Sequence, residues 1–282
     1  MPEDVAASLA GSKQWGETTV DPGFSDFCLQ ELCQRSAHLT VESAAWQSWG
    51  ISKEAHSERD QASAWTVPDD ILECIPTKTK KLLGCEREAL VVSRNLHFMD
   101  IFAGRARFTR WALWAGFTGI AFDKQYGNHM NTNSDEGFAL LLLCVLRVVP
   151  LGLLLLAPLC SSWGFLPMSV TKRSASNPLG DRAVPTVAEG NLMNGRVVCI
   201  CMLAHKLGLR WIVEQPADSM FFLTPAMKAC FTACNAQKVR FHLRDFGHPN
   251  PKPTVLYGND LCHWLHRVAP KVSLNLTLNP QP

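Results

Sequence analysis

The sequence has few charged residues, and its start lacks the pattern of a secretory signal. Only 18% of the 282 residues are charged, whereas 47% are apolar. This composition excludes a wholly disordered or fibrous chain and suffices for one large domain, or for a domain with an appendage. The first residues, MPEDVAASLAGSK, are acidic and have no basic end followed by an apolar run. We therefore expect no secretory signal.

The sequence also lacks an uninterrupted apolar run that could span a membrane. Its most apolar stretch, residues 138–157, carries Arg147 near the middle and is divided by Pro150 and Gly152. A charge at a bilayer centre costs ~3 kcal/mol, and Pro and Gly interrupt helices. The pattern instead predicts a buried helix over about 137–148, a turn and a buried strand over about 152–157, so we expect no membrane partner.

Cysteine is frequent, with 11 residues, but no metal-ligand spacing accompanies it. Cys28 and Cys33 have no matching second pair and no nearby histidine, so we expect no metal site there. Several other thiols lie in apolar or helix-like stretches: Cys144, Cys199, Cys201 and Cys230. We interpret them as reduced, buried thiols of an intracellular protein, in the nucleus or the cytoplasm.

The near-neutral net charge of +2 conceals two segments of opposite sign. Residues 1–90 hold 15 acidic and 8 basic residues, a net charge of −7, whereas residues 91–282 have a net charge of +9. Residues 1–90 also lack sustained periodicity, which predicts a poorly ordered acidic appendage. The basic excess of the remainder favours contact with a polyanion such as nucleic acid.

From residue 91 onward, apolar strand-like runs alternate with amphipathic stretches. We predict strands over 96–101, 118–122, 153–157 and 211–213. We predict helices over about 106–115, 137–148, 186–207 and 219–234. This alternation indicates an α/β fold with parallel strands and crossover helices. Ligands bind beyond the carboxyl ends of such strands, so the candidate functional residues are Asp100, Asp123, Cys160 and Glu214.

The first two strand ends suit a cofactor that contains a nucleoside. A small-residue turn, Ala103-Gly104, follows Asp100 and leads into a helix, which places backbone N–H groups and a carboxylate at the helix N-terminus. Asp123 ends the next strand, 23 residues after Asp100, and can accept hydrogen bonds from two ribose hydroxyls. The further glycines of a dinucleotide fingerprint are absent, so a pyrophosphate cofactor fits less well.

The other two strand ends carry a thiol and a carboxylate. Cys160 follows Pro158-Leu159 in a serine-containing loop, where an exposed thiol can attack an electrophile. Glu214 ends an aliphatic strand, where burying a carboxylate without a partner or a task is unfavourable.

The residues at the first two strand ends resemble those of the DNA cytosine-5 methyltransferases, and more closely those of the short, divergent members of that family associated with mobile elements. The DIFAG run resembles the family's Asp-x-Phe-x-Gly motif, which binds S-adenosylmethionine. The resemblance implies that Asp100, Phe102, Ala103 and Gly104 bind this cofactor, and that Asp123 is the ribose-binding acid.

Three later motifs follow in the order of that family. Residues 158–160 (PLC) resemble its Pro-Cys nucleophile motif, and residues 214–216 (EQP) resemble its Glu-Asn-Val motif. Residues 246–254 (FGHPNPKPT) resemble a later motif that carries basic residues behind the target base. The resemblance covers about residues 94–259.

The resemblance implies a Rossmann-like methyltransferase sheet with helices on both faces, over residues 91–262, followed by a tail over 263–282. It implies methyl transfer from S-adenosylmethionine to C5 of cytosine in nucleic acid, with DNA favoured over RNA. Cys160 would add to C6 and Glu214 would hold N3 and the amino group. Four basic residues would contact nucleic-acid phosphates: Lys172, Arg173, Arg240 and Lys252.

The chain departs from the family pattern in the motifs themselves. Leu159 separates the proline from the cysteine, Ala106 and Arg107 stand where the family has a glycine pair, and Gln215-Pro216 replace Asn-Val. These departures bear on catalysis more than on fold.

Two alternatives therefore stay open. One is a degenerate relative that binds cofactor or nucleic acid without catalysis. The other is a metal-dependent nuclease or transposase whose acidic triad is Asp100, Asp123 and Glu214.

Overall fold

The structure is a computed structural model that describes residues 64–85, 89–164, 168–246 and 249–260. The predicted tail over 263–282 and most of the predicted acidic appendage lie outside the described residues.

The described chain begins with a short ribbon and two short helices. Strand β1 (Ala64–Thr66) is followed by helices α1 (Asp69–Leu72) and α2 (Thr77–Leu82), and it pairs antiparallel with β2 (Val91–Ser93). The remaining elements, in chain order, are β3 (Leu96–Ile101), α3 (Arg107–Trp114), β4 (Gly119–Phe122), α4 (Asp135–Leu146), β5 (Val148–Leu156), α5 (Met168–Thr171), α6 (Pro185–Lys206), β6 (Arg210–Pro216), α7 (Pro225–Ala233), β7 (Gln237–His242) and β8 (Pro253–Gly258).

In the described part of the chain, β3 to β8 form a six-stranded sheet in the order β4-β3-β5-β6-β8-β7. Strands β4, β3, β5 and β6 are parallel, whereas β8 runs antiparallel to both of its neighbours. The fold is therefore α/β with a mostly parallel sheet, as predicted, and it is consistent with a Rossmann-like fold.

Helices cover both faces of this sheet. On one face, Ala112 of α3 packs with Phe98 and Leu153 in one apolar cluster. On the other face, Met99 belongs to the main core cluster, to which α4, α6 and α7 contribute buried side chains. Apart from the exposed Leu151, the aliphatic residues of β5 are buried or half-buried because both faces are covered, which explains their nearly continuous run in the sequence.

The most apolar stretch forms a helix and a strand, as predicted. Helix α4 begins after Ser134, whose hydroxyl accepts a hydrogen bond from the Gly137 N–H at 3.0 Å. The chain then turns at Arg147 into β5. Across the described ranges, no helix has the length and hydropathy needed to cross a membrane.

Residues 64–85 are part of the folded domain, which corrects the predicted boundary at residue 90. Val67, Ile71 and Ile75 are at most 6% exposed and belong to the same core cluster as the sheet. These three aliphatic positions recur every four residues, but they are few within a segment whose composition is otherwise acidic and polar, and the composition outweighed them.

We expect Ile75→Ala to lower the free energy of unfolding of the whole domain by about 2–5 kcal/mol, because it leaves a cavity at a site that is 2% exposed. Urea denaturation measures this loss. Leu82→Ala, on an exposed side chain of α2, is the matched control and should change stability by less than about 0.5 kcal/mol. Equal stability of the two variants would contradict the revised boundary.

Candidate functional site

The ends of four parallel strands form one edge of the sheet. Ile101 pairs with Phe122 on one side and with Leu156 on the other, and Leu156 pairs with Val213. The Ala157 N–H also donates to the Ile101 carbonyl at 3.1 Å. The chain segments that carry the predicted site residues therefore leave the sheet side by side.

The turn between β3 and α3 has an unusual backbone. Phe102, Gly104 and Ala106 have φ values of 62°, 53° and 49°, in the left-handed region. Two of these residues carry a Cβ, for which this conformation costs about 1–2 kcal/mol. The turn is held by Tyr126, whose hydroxyl donates to the Gly104 carbonyl at 2.5 Å, and by Asp123, which accepts from the Gly104 N–H at 3.0 Å.

Asp123 joins this turn to the end of β4. One carboxylate oxygen accepts from Gly104, and the other accepts from the Gln125 N–H at 2.9 Å. The side chain is only partly buried. Because each carboxylate oxygen can accept about two hydrogen bonds, Asp123 keeps acceptor capacity for a ligand.

Asp100 performs a structural task. It is 4% exposed, and one of its oxygens accepts from the Thr109 hydroxyl at 2.8 Å and from the Thr109 N–H at 3.3 Å. Burial raises the pKa of Asp100; the Thr109 hydrogen bonds oppose that rise, and the charge of Asp123 adds to it. Asp100 thus fixes the first turn of α3 against β3.

The cysteine loop and the glutamate strand are connected through Gln215. This side chain is fully buried; its amide N–H donates to the Pro158 carbonyl at 2.5 Å, and its amide oxygen accepts from the Ser219 hydroxyl at 2.8 Å. Cys160 is exposed, two residues beyond Pro158. Glu214 directly precedes Gln215. Residues 214–216 (EQP) and 158–160 (PLC) are therefore joined by the hydrogen bond of Gln215, one of the residues that depart from the family pattern.

Glu214 is half-buried near the end of β6. Burial raises the pKa of its carboxyl group, and the positive charge of Lys252 opposes that rise. Lys252 precedes β8, whose antiparallel pairing with β6 sets Leu256 opposite Glu214. Glu214 therefore combines a tendency to hold a proton with a nearby cation.

The predicted phosphate-binding residues divide into two groups. Lys172, Arg240 and Lys252 are exposed, as their proposed role requires. The prediction for Arg173 is wrong, because its side chain is 1% exposed.

Arg173 is an interior residue of the loop that follows Cys160. Its guanidinium lies 3.5 Å from the centre of the Trp163 ring and donates to the Pro178 carbonyl at 2.6 Å and to the Asn191 amide oxygen at 3.0 Å. Burial lowers its pKa to about 10. Gly190 makes room for this arrangement, since a Cβ there would lie 2.7 Å from the Ser162 hydroxyl.

The predicted acidic metal triad does not assemble. Within the described ranges, no group of three or more His, Cys, Asp or Glu side chains could hold a metal ion. Asp100 already accepts two hydrogen bonds from Thr109, and Glu214 lies two strands away from β3.

Sequence reasoning missed Tyr126 and undervalued Gln215. Tyr126 follows Asp123 by three residues, and no motif marks it. Gln215 was noted only as a departure, although an amide at the end of a buried strand needs hydrogen-bond partners, and this was the signal available.

Comparison of the chain with models of known protein families, with curated proteins and with solved structures finds no match. The geometry of the site is therefore the basis for a functional proposal.

We expect Thr109→Val to lower the free energy of unfolding by about 1–3 kcal/mol at neutral pH, because a buried carboxylate loses its hydroxyl donor. The folded-state pKa of Asp100 is raised, so the stability gained from its protonated form is lost as pH rises through that pKa. Removing the donor raises this pKa further. The loss should therefore be larger at about pH 7 than at about pH 4.

Urea denaturation at the two pH values measures the effect. Thr232→Val on α7 is the control, because that hydroxyl is exposed and bonds only within its own helix. The same loss of stability at both pH values would contradict the assigned role of the Thr109 hydroxyl.

Proposed function

We propose that the protein transfers a methyl group from S-adenosylmethionine to C5 of cytosine in nucleic acid, with DNA as the favoured substrate. The observation that carries this proposal is the hydrogen bond between Gln215 and Pro158. It joins the loop of the exposed Cys160 to the strand of Glu214, and these are the two side chains that the chemistry requires.

The residues at the first two strand ends fit S-adenosylmethionine. Asp123 has acceptor capacity for ribose hydroxyls, and it is held beside the turn by Gly104 and Gln125. The turn itself is fixed from the other side by Tyr126. The cofactor, when bound, supplies an electrophilic methyl group on a sulfonium.

The side chains at the other two ends fit attack on a cytosine. The Cys160 thiolate would form a bond from its sulfur to C6, which moves electron density to C5. Glu214, whose pKa is raised by burial, would donate a proton to N3 and accept a hydrogen bond from the amino group. After the methyl group has moved to C5 and S-adenosylhomocysteine has been left as the other product, a base would take the C5 proton and the bond from sulfur to C6 would break. This restores the ring, releases the Cys160 thiolate and returns the N3 proton to Glu214.

The arrangement of the sheet supports this class of enzyme. Strand β8 lies antiparallel between β6 and β7, next to four parallel strands. In mostly parallel α/β sheets, ligands bind beyond the carboxyl ends of the strands, and the candidate residues lie at those ends.

A second candidate is a protein that binds S-adenosylmethionine without transferring the methyl group. It is favoured by Leu159, which is 58% exposed and stands between Pro158 and the thiol. This insertion shifts Cys160 one residue from the position implied by the family motif. The two experiments below separate the candidates.

Isothermal titration calorimetry should detect binding of S-adenosylmethionine to the unmodified protein. Asp123→Ala should abolish this binding, because it removes the ribose acceptor and the hydrogen bond to the turn. Asp123→Asn keeps one acceptor oxygen and should show a partial loss. Asp181→Ala, at an exposed loop aspartate, is the control and should bind as the unmodified protein does. No binding by the unmodified protein would refute both candidates.

DNA containing 5-fluorocytosine should form a covalent adduct with the protein in the presence of S-adenosylmethionine. With fluorine in place of hydrogen, C5 has no proton that a base could remove, so elimination stops and the bond between Cys160 and C6 persists. Cys160→Ser should form no adduct in a denaturing gel, whereas Cys74→Ser should form as much as the unmodified protein. Cofactor binding without an adduct would favour the non-catalytic candidate. A higher yield of adduct with RNA that contains 5-fluorocytosine than with the DNA would identify RNA as the substrate.

A further inference from the structure

The outer face of α3 carries two exposed tryptophans next to two arginines. Arg107, Arg110, Trp111 and Trp114 recur at helical spacing and lie within about 100° of one another around the helix axis. Trp114 is 58% exposed and Trp111 is 42% exposed. The opposite side of the helix holds the buried Thr109 and Ala112, which dock α3 on the sheet.

The helix that carries this face is held firmly against the sheet. The ring of Trp111 lies 6.4 Å from that of Phe108, and Phe108 packs edge-on against Phe98 of β3 at 5.4 Å. Asp100 fixes the first turn of the same helix through Thr109. The indole surfaces are therefore presented by a rigid element.

The charge of this face is entirely positive. Helix α3 contains no acidic residue, Arg107 is exposed, and the preceding turn adds the exposed Arg105. Arginine beside exposed aromatic rings is the combination by which proteins bind single-stranded nucleic acid, since bases stack on the rings and guanidinium groups contact phosphates. The net charge of +9 over residues 91–282 likewise favours a polyanionic partner for this face.

We propose that the outer face of α3 binds single-stranded nucleic acid through stacking on Trp111 and Trp114 and through phosphate contacts to Arg107 and Arg110. The face is about 10 Å long, which accommodates two or three bases stacked at about 3.4 Å. Helix α3 begins at the edge of the sheet where Cys160 and Glu214 leave their strands, so a bound strand would lead toward that edge. The inference rests on the proposed function in one respect, since that function makes nucleic acid the polymer expected to bind here.

The test uses fluorescence anisotropy of a short, labelled single-stranded DNA with the full chain. Trp114→Ala should weaken binding by about tenfold, and the double variant with Trp111→Ala should weaken it further. Arg107→Gln should reduce the slope of log affinity against log salt by about one. Leu192→Ala and Lys228→Gln, at exposed positions of α6 and α7, are the matched controls and should bind as the unmodified chain does.

A bromouracil-substituted strand, photo-crosslinked to the unmodified chain, should attach to the peptide that contains Trp111 and Trp114. Unchanged affinity of the double variant, crosslinks only elsewhere, or no binding by the unmodified chain would each overturn the inference. Self-association that disappears in the double variant, without an effect on DNA, would assign the face to a second copy of the chain and also overturn it.

The Cys160 adduct assay keeps this inference separate from the proposed function. Adduct formation by a double variant with unchanged DNA affinity would refute the α3 contact and leave methyl transfer standing. Loss of DNA affinity on changing Trp111 and Trp114, in a chain that forms no adduct, would support the α3 contact and count against methyl transfer.

Discussion

A carboxylate with almost no access to water joins the first parallel strand to the helix behind it. Asp100 accepts two hydrogen bonds from Thr109, and these bonds set where α3 begins and how it lies on the sheet. The left-handed turn that connects strand and helix depends on that placement, and so does its contact with Asp123. An ordinary solvated acid could not set this geometry, because competition with water would reduce the net contribution of each hydrogen bond.

Much of this fold could be predicted from the sequence, and the reasons are local. Strand β3 and helix α6 were predicted to within one residue, because buried parallel strands and long helices leave strong apolar patterns. The pair β7 and β8 was missed. The sequence of β7, QKVRFH, is mostly polar, because an edge strand with one exposed face needs few apolar residues. A proline-rich link precedes β8 and gives no strand pattern.

The candidate site was predictable where chemistry follows a strand, and unpredictable where it depends on contacts between distant segments. Asp123 and Glu214 could be found because a carboxylate at a strand end is conspicuous. The contact of Tyr126 with Gly104 joins residues 22 apart, and that of Gln215 with Pro158 joins residues 57 apart. Arg173 was assigned to the surface because its charge indicates exposure, whereas the ring of Trp163 and the surrounding carbonyls stabilise it in the interior.

The buried Arg173 and Trp163 also set the conformational entropy of the segment that follows Cys160. Arg173 and Trp163 are immobilised when the chain folds, since each is at most 1% exposed and they contact each other. The conformational entropy of ordering these residues is therefore lost during folding and is not subtracted again when a ligand arrives. For the proposed methyltransferase, this means that two residues of the segment after Cys160 are already ordered before a substrate binds.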